Sequence, residues 1–270
     1  MLRNEVKNRL LELRKCTVGN CEIVNCVNGY LAPGPSGSLY PCRCMVVFLY
    51  LMELVKAKVP MSYWCLSLDS LKGIDDAYKQ IVLFYLGRLE KAIRKSMGLI
   101  FFGTNGIGKT SLMCEIGKEA IVRGYVVQYF TVQQYVDAVK GDSPIVREFQ
   151  DADMILLDEM DKVYIKKGSS YVGKSLEDFL RRSISSGRAV IAGTNFDEET
   201  FTNTFGDSTV SMLKRHSKFL EVEGEDYSDT LYNSWEDMLD EDYDFYCDSI
   251  VKMATRLHEF VEERENEAWR

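Results

Sequence analysis

The chain has 270 residues, 46% of them hydrophobic and 27% charged, with a formal net charge of −8. That length fits one α/β domain of ordinary size plus a small appendage and excludes two such domains. The charged start Met1-Leu-Arg-Asn-Glu-Val-Lys-Asn-Arg9 is unlike a secretory signal, and the apolar run Met45 to Met52 is too short to span a bilayer, so a soluble, cytosolic protein without membrane contact is expected. The charge is uneven. From Glu221 onward there are seventeen acids against four bases, whereas residues 1–220 carry 24 acids and 29 bases. The basic part is compatible with contact to a nucleic-acid backbone.

In chain order, Leu2, Val6, Leu10 and Leu13 share one face of an opening amphipathic helix. The stretch from Cys16 to Cys44 is rich in Gly, Pro, Asn and Ser and needs a source of order other than propensity. It carries Cys21-x4-Cys26-x15-Cys42-x-Cys44, with Cys16 as a fifth thiol. Four thiolates suit a closed tetrahedral zinc site, which would supply that order, and Cys16 is the alternative to Cys21. Unligated thiols are the other reading. Cys65, Cys114 and Cys247 stand alone among apolar residues and read as packing residues.

A second helix is expected from Met45 to Lys58, broken by Pro60, and one long helix from Ile74 to Lys95. Gly98-Leu-Ile-Phe-Phe102 reads as a buried strand. The loop Gly103, Thr104, Asn105, Gly106, Ile107, Gly108, Lys109, Thr110, Ser111 follows it, and then a helix to Ile121. This loop has the pattern G-x-x-x-x-G-K-T. Its glycines let backbone amides wrap a phosphate chain at a helix N-terminus, Lys109 reaches the β- and γ-phosphates, and the Thr110 hydroxyl can ligate magnesium. Further strands are read at Tyr125–Phe130, Met154–Leu157 and Ala189–Ala192, with Thr131 as a helix N-cap and Pro144 opening a short helix. Strands alternating with helices predict a parallel sheet with its ligand at the carboxyl ends of the strands.

Two more elements complete the chemistry. Met154-Ile-Leu-Leu-Asp158-Glu159 is an apolar strand that delivers two carboxylates: Asp158 to hold magnesium with Thr110, and Glu159 to orient and deprotonate the attacking water. Ala192-Gly-Thr-Asn195 ends the next strand and offers Asn195, or else Thr194, to sense the γ-phosphate.

Taken together, Gly-x-x-Gly-x-Gly-Lys-Thr, Leu-Leu-Asp-Glu-Met and Gly-Thr-Asn resemble the AAA+ ATPases, within them the DnaC-like and IstB-like helicase-loader group. The resemblance spans about Pro60 to Ser228 and includes the lead-in Lys56 to Leu71 and the closing Phe219 to Ser228. It implies an AAA+ motor at 60–228 and an N-terminal helicase-binding module with the cysteine cluster at 1–59. The residues beyond, 229–270, read as an acidic aromatic tail in which Ile250 to Trp269 has the pattern of an amphipathic helix. The resemblance also implies ATP, magnesium and zinc as cofactors, and a replicative helicase hexamer, single-stranded DNA and further copies of the chain as partners, in a bacterial cytoplasm, including that of a phage-infected host. The alternatives are a transposition ATPase of the IstB type and an adaptor that binds ATP without hydrolysing it. Hydrolysis in this group is completed by an arginine from the neighbouring subunit. Here Met212 falls where many members carry it and Arg215, one helical turn later, is the candidate, with Lys214 second; Ser228 likewise replaces an arginine often found there. Lys162, Tyr164, Lys166 and Lys167 after the carboxylates, and Arg181 and Arg182 on the next helix, are the DNA-contact candidates. Between Asp226 and Asp244 acids alternate with Tyr227, Tyr232, Trp235 and Tyr243, which reads as a solvated acidic run, a docking segment for a basic partner or a self-inhibitory mimic of DNA.

Overall fold

The computed structural model of the chain describes residues 2–31, 39–71, 74–141, 151–162, 170–224, 226 and 247–268. The opening helix α1 spans Leu2–Arg14, and a π-helical turn carries the chain into three two-residue antiparallel strands, β1 (Cys26–Val27), β2 (Tyr30–Leu31) and β3 (Tyr40–Pro41). Helix α2 (Arg43–Lys56) follows directly. It stops before Pro60: Ala57 takes the cap, and Lys58 adopts φ 60°, a left-handed conformation that no helix continues.

The expected single helix over Ile74–Lys95 is instead two, α3 (Asp76–Leu86) and α4 (Leu89–Arg94). Gly87 caps the first, and Arg88 leaves helical geometry at φ −128°, so the apolar spacing persists across a break that periodicity alone does not register. Asp75 caps α3 by accepting from the Ala77 amide at 2.8 Å.

The motor sheet is parallel and has five strands in the order β5-β6-β7-β4-β8: β4 (Gly98–Phe102), β5 (Val127–Thr131), β6 (Met154–Asp158), β7 (Ala189–Thr194) and β8 (Ser217–Glu221). Its residues alternate between two cores because successive side chains of a strand point to opposite faces. Leu99, Phe101, Leu156 and Ile191 pack on the side of α2, α3 and α5 (Lys109–Val122). Ile100, Phe102, Leu157 and Val190 pack on the side of α6 (Val132–Lys140), α7 (Ser170–Ser185), α8 (Glu198–Phe205) and α9 (Asp207–His216). Both faces are covered, which is why the central strands β4, β6 and β7 read as nearly unbroken apolar runs. Thr131 caps α6 as read, within a capping box closed by Gln134. The short helix expected at Pro144 lies outside the described residues.

The last helix, α10 (Asp248–Ala268), returns to the motor and lies against α2 and α5. Ile250, Met253 and Ala254 are buried in the same core as Leu13, Tyr50 and Leu51 of the N-terminal segment and Leu112 of α5. Arg256 donates to both carboxylate oxygens of Glu119 on α5 at 2.7 Å, and Arg123 binds the same carboxylate at 2.9 Å. Although burial raises the Glu119 pKa, these two guanidiniums outweigh it and hold the carboxyl below its usual range.

Candidate nucleotide site and thiol cluster

β4 delivers the phosphate loop at its carboxyl end, and α5 starts inside it. Gly103, Gly106 and Gly108 have φ of 139°, 79° and 86°, conformations that L side chains rarely adopt, so the loop curls and the amides at the start of α5 face one cavity. A Cβ on Gly108 would lie 2.5 Å from Ile74, which closes the loop from above.

Lys109 is buried, and its ammonium donates to the carbonyls of Gly103 (2.9 Å) and Thr104 (2.6 Å) and to Asn195 Oδ1 (2.9 Å). Burial lowers its pKa, opposed by the negative charges of Asp158 and Asp161. Three acceptors thus hold the lysine over the loop, where a phosphate would meet it.

Because β7 lies between β4 and β6, its end sits between the loop and the carboxylates. Asn195 therefore touches Lys109 on one side, and on the other donates from its backbone and side-chain nitrogens to the two oxygens of Asp161, at 2.9 and 2.8 Å. The alternative, Thr194, is buried and accepts from the Phe196 amide at 3.2 Å. The Thr110 hydroxyl donates to Asp158 Oδ2 at 2.8 Å, and Tyr129 donates to the same oxygen at 3.0 Å. Asp158 Oδ1 accepts from the Glu159 amide at 2.8 Å. Gly193 leaves room for this carboxylate, since a Cβ there would stand 2.9 Å from it. Glu159 adopts φ 55°, a left-handed conformation rare outside glycine, and its exposed side chain lines the cavity. Tyr63 closes one wall, and burial first, then Cys114 and Asp158, push its phenol up to about 12.

Thr110 and Asp158 place two hard oxygens in contact at the loop, the donor set that magnesium takes with a nucleotide's phosphates. The sequence did not single out Asp161, Tyr129 or Tyr63. Asp161 lay in plain view two residues after Glu159, but its partner is 34 residues away; Tyr129 read only as a strand residue.

The other candidates are dispersed. Arg215 is exposed on α9 and donates weakly to Ser211 at 3.4 Å, away from the cavity lining; Lys214 pairs with Glu198. Met212, where the resemblance places an arginine, is half-buried and packs on the core. Arg181 is engaged by Glu177 at 2.9 Å and by the Ser208 hydroxyl at 2.7 Å, whereas Lys162 and Arg182 are exposed. Tyr164, Lys166, Lys167 and Ser228 lie outside the described residues.

At the other end of the chain the sulfurs of Cys21, Cys26, Cys42 and Cys44 all lie within 4.8 Å of one another. The pairs Cys21–Cys42 and Cys26–Cys44 are 3.8 and 3.6 Å apart, and four sulfurs about 2.3 Å from a tetrahedral zinc are about 3.8 Å apart. Asn25 and Asn28 (φ 72° and 52°) turn the chain around the cluster, and Cys42 donates its amide to the Gly29 carbonyl at 2.8 Å. Burial raises the Cys26 and Cys44 thiols, reinforced on Cys26 by Cys42 and Cys21 and on Cys44 by Cys21, Cys26 and Cys42; on Cys21 burial is outweighed by the Ile23 amide and the other thiols, and its pKa falls. Cys16 is exposed and outside the group, so the four that gather are the set first read from the spacing. Cys114 is buried on α5, and Cys65 and Cys247 meet at 2.6 Å, tying the start of α10 to the segment before α3.

A parallel sheet with the phosphate loop on one strand, paired carboxylates on another and an amide side chain on the strand between them makes an ATP-binding site of the phosphate-loop kind. The chain belongs to the IstB-like family: the model described as "IstB-like ATP binding protein" matches residues 78–231. The ATP-binding protein of insertion sequence IS5376 from Geobacillus stearothermophilus is 28% identical over 146 residues, covering 50% of this chain and 57% of that relative. The match thus spans little more than half the relative's length. Among solved structures, the DnaC helicase loader is similar with a TM-score of 0.54 at 15% identity, over 61% of this chain and 100% of that one. AMPPCP-bound DnaA from Aquifex aeolicus is similar with a TM-score of 0.50 at 16% identity, over 78% and 70%. At these identities the structural likeness is one of fold. Among the described residues no helix is long and apolar enough to cross a membrane.

Proposed function

We propose that this protein is an ATPase that loads a replicative DNA helicase onto single-stranded DNA, with residues 1–59 gripping the helicase, residues 60–228 acting as the motor and residues 229–270 as an acidic appendage. The observation that carries the reading is the thiol-built module. It exposes Val24 (82%), Val27 (68%), Leu39 (63%) and Tyr40 (53%) around the cysteines, an apolar surface suited to a protein partner, while its α2 rests on the helix of the phosphate loop. Zinc held by Cys21, Cys26, Cys42 and Cys44 would fix that surface.

In the motor, the amides of the loop and Lys109 bind and orient the phosphates, and Asn195 sets the position of Lys109. Magnesium, held by Thr110 and Asp158, would supply charge neutralisation at the β- and γ-phosphates. Glu159 takes the proton of the attacking water, and the backbone bond from its amide to Asp158 fixes where its side chain starts. An exposed Arg215 fits delivery to the site of a neighbouring copy, so assembly would complete the catalytic set. Lys162 and Arg182, with Tyr164, Lys166 and Lys167, would face the strand in that assembly, Arg181 being held by Glu177.

A second reading is a transposition ATPase that regulates a transposase on DNA, favoured by the family match and by the insertion-sequence relative. Mixing the full chain with replicative helicases, with and without ATP, and weighing the complexes separates the two. A helicase complex that depends on the thiol module is expected; binding to duplex DNA and a transposase, with no helicase complex, would reverse the reading. Single-turnover hydrolysis by Glu159→Gln addresses the third option, a non-hydrolysing adaptor. A rate equal to wild type would remove Glu159 as the base.

A further inference from the structure

Away from the nucleotide, α3, α4 and β4 form a groove whose floor and rim differ sharply in chemistry. Ile81, Phe84, Ala92, Met97 and Leu99 make the floor, and Phe84 is 61% exposed. Arg88, Lys91, Lys95 and Lys218 stand around it, all exposed, and none of the described lining residues is acidic. The Arg88 guanidinium lies 3.8 Å over the Phe84 ring, which holds both side chains open toward solvent. Tyr85 anchors the groove from beneath by donating to the Met97 carbonyl at 2.8 Å.

An apolar floor inside a cationic rim fits an acidic peptide with apolar anchors better than it fits a bare phosphate backbone, which has no use for the floor. The chain itself contains such a peptide. Residues 227–246, outside the described residues, hold seven carboxylates and no base, and Leu231, Trp235 and Met238 recur at i, i+4 and i+7, the anchor spacing of a peptide that lays one helical face into a groove. The reach suffices. Gly224 bridges to Ile74, so this stretch departs beside the start of α3, and Phe84 is ten residues further along, about 15 Å of helix. Twenty residues have a contour of roughly 66 Å, several times that distance.

We infer that the groove of α3, α4 and β4 is the docking site for residues 227–246 of the same chain, with Leu231, Trp235 and Met238 on the floor and the flanking carboxylates on Arg88, Lys91, Lys95 and Lys218. The inference stands independently of which DNA transaction the motor serves.

Zero-length carbodiimide coupling of the full chain, on an equal mixture of ¹⁴N and ¹⁵N protein, tests this by peptide mapping. Amide links from Lys91, Lys95 or Lys218 to Glu236 through Asp244 are expected within single isotopic chains. Phe84→Asp and Arg88→Glu should each reduce them about fivefold, while Leu83→Asp, which adds the same charge on α3 outside the groove, leaves them unchanged. Links that join ¹⁴N to ¹⁵N chains would assign the occupant to a neighbouring copy and overturn the proposal. So would links mainly to other lysines, an equal loss in Leu83→Asp, or groove lysines that a single-stranded oligonucleotide protects while no segment links form.

Discussion

Around Cys21 to Cys44 the chain makes three strands of two residues each and leaves Val24, Val27 and Tyr40 in solvent, whereas β4, β5, β6 and β7 bury nearly every residue between two layers of helices. The first sheet has almost no core of its own and gathers around four sulfurs; the second is packed with apolar side chains on both faces. The contrast separates two jobs. A surface gathered around four thiols leaves apolar side chains in solvent, and a sheet held by burial gives the loop, the carboxylates and Asn195 fixed positions.

The sharpest way to break this contrast is to remove the thiols that would hold zinc. Structural zinc in small modules is worth about 10–16 kcal/mol of apparent binding. Cys42→Ser with Cys44→Ser is therefore expected to abolish stoichiometric zinc in a chromogenic release assay and to cost helicase binding, while ATP affinity stays within about threefold. A collapse of ATP binding would show that the two sheets are not independent. On the motor side, Glu159→Gln is expected to slow hydrolysis about 10²- to 10⁴-fold with nucleotide affinity retained, read by single-turnover assay and equilibrium binding. Leu156→Ala, in a fully buried position of β6, should cost about 2–5 kcal/mol in denaturant unfolding without changing zinc content. Arg256→Ala should cost only about 1 kcal/mol, because the Arg256 side chain is 39% exposed and water screens its charge. Glu119 sharpens the same point through pH. Its carboxyl is held below its ordinary range, so its ion pairs contribute fully above an unfolded value of about 4.3 and are lost as pH falls through the lower folded value. Hydrogen exchange in α10 should accelerate there before exchange in β4.

What the sequence disclosed and what it withheld divide along chain distance. The loop from Gly103 to Ser111, the strand ending in Asp158 and Glu159, and the Thr131 cap depend on neighbours in sequence, and the family resemblance followed from them. The thiols were legible as a candidate set because Cys21 lies close to Cys26 and Cys42 close to Cys44 in sequence, whereas the sulfur pairs Cys21–Cys42 and Cys26–Cys44 close over 21 and 18 residues. Withheld were the break between α3 and α4, where one glycine ends a helix inside an unbroken apolar period, and every partner set by tertiary approach. Asp161 beneath Asn195, Tyr129 on Asp158 and Arg256 on Glu119 meet across 34, 29 and 137 residues. The acidic composition after Glu221 masked α10 in a different way: its one apolar stripe was legible as a helix, but nothing in it named α2 and α5 as the surfaces it covers.

Helix α5 has no solvent side: of its fourteen residues only Thr110 is not buried. Such a helix cannot tilt or slide alone, since each displacement must push β6, α2, α3 or α10 with it. It works as a keel fixed along its whole length, with the phosphate grip at its prow and the N- and C-terminal segments of the chain as planking. A pull on either of those segments is shared along the packed length of α5, whose first residue, Lys109, is the phosphate grip.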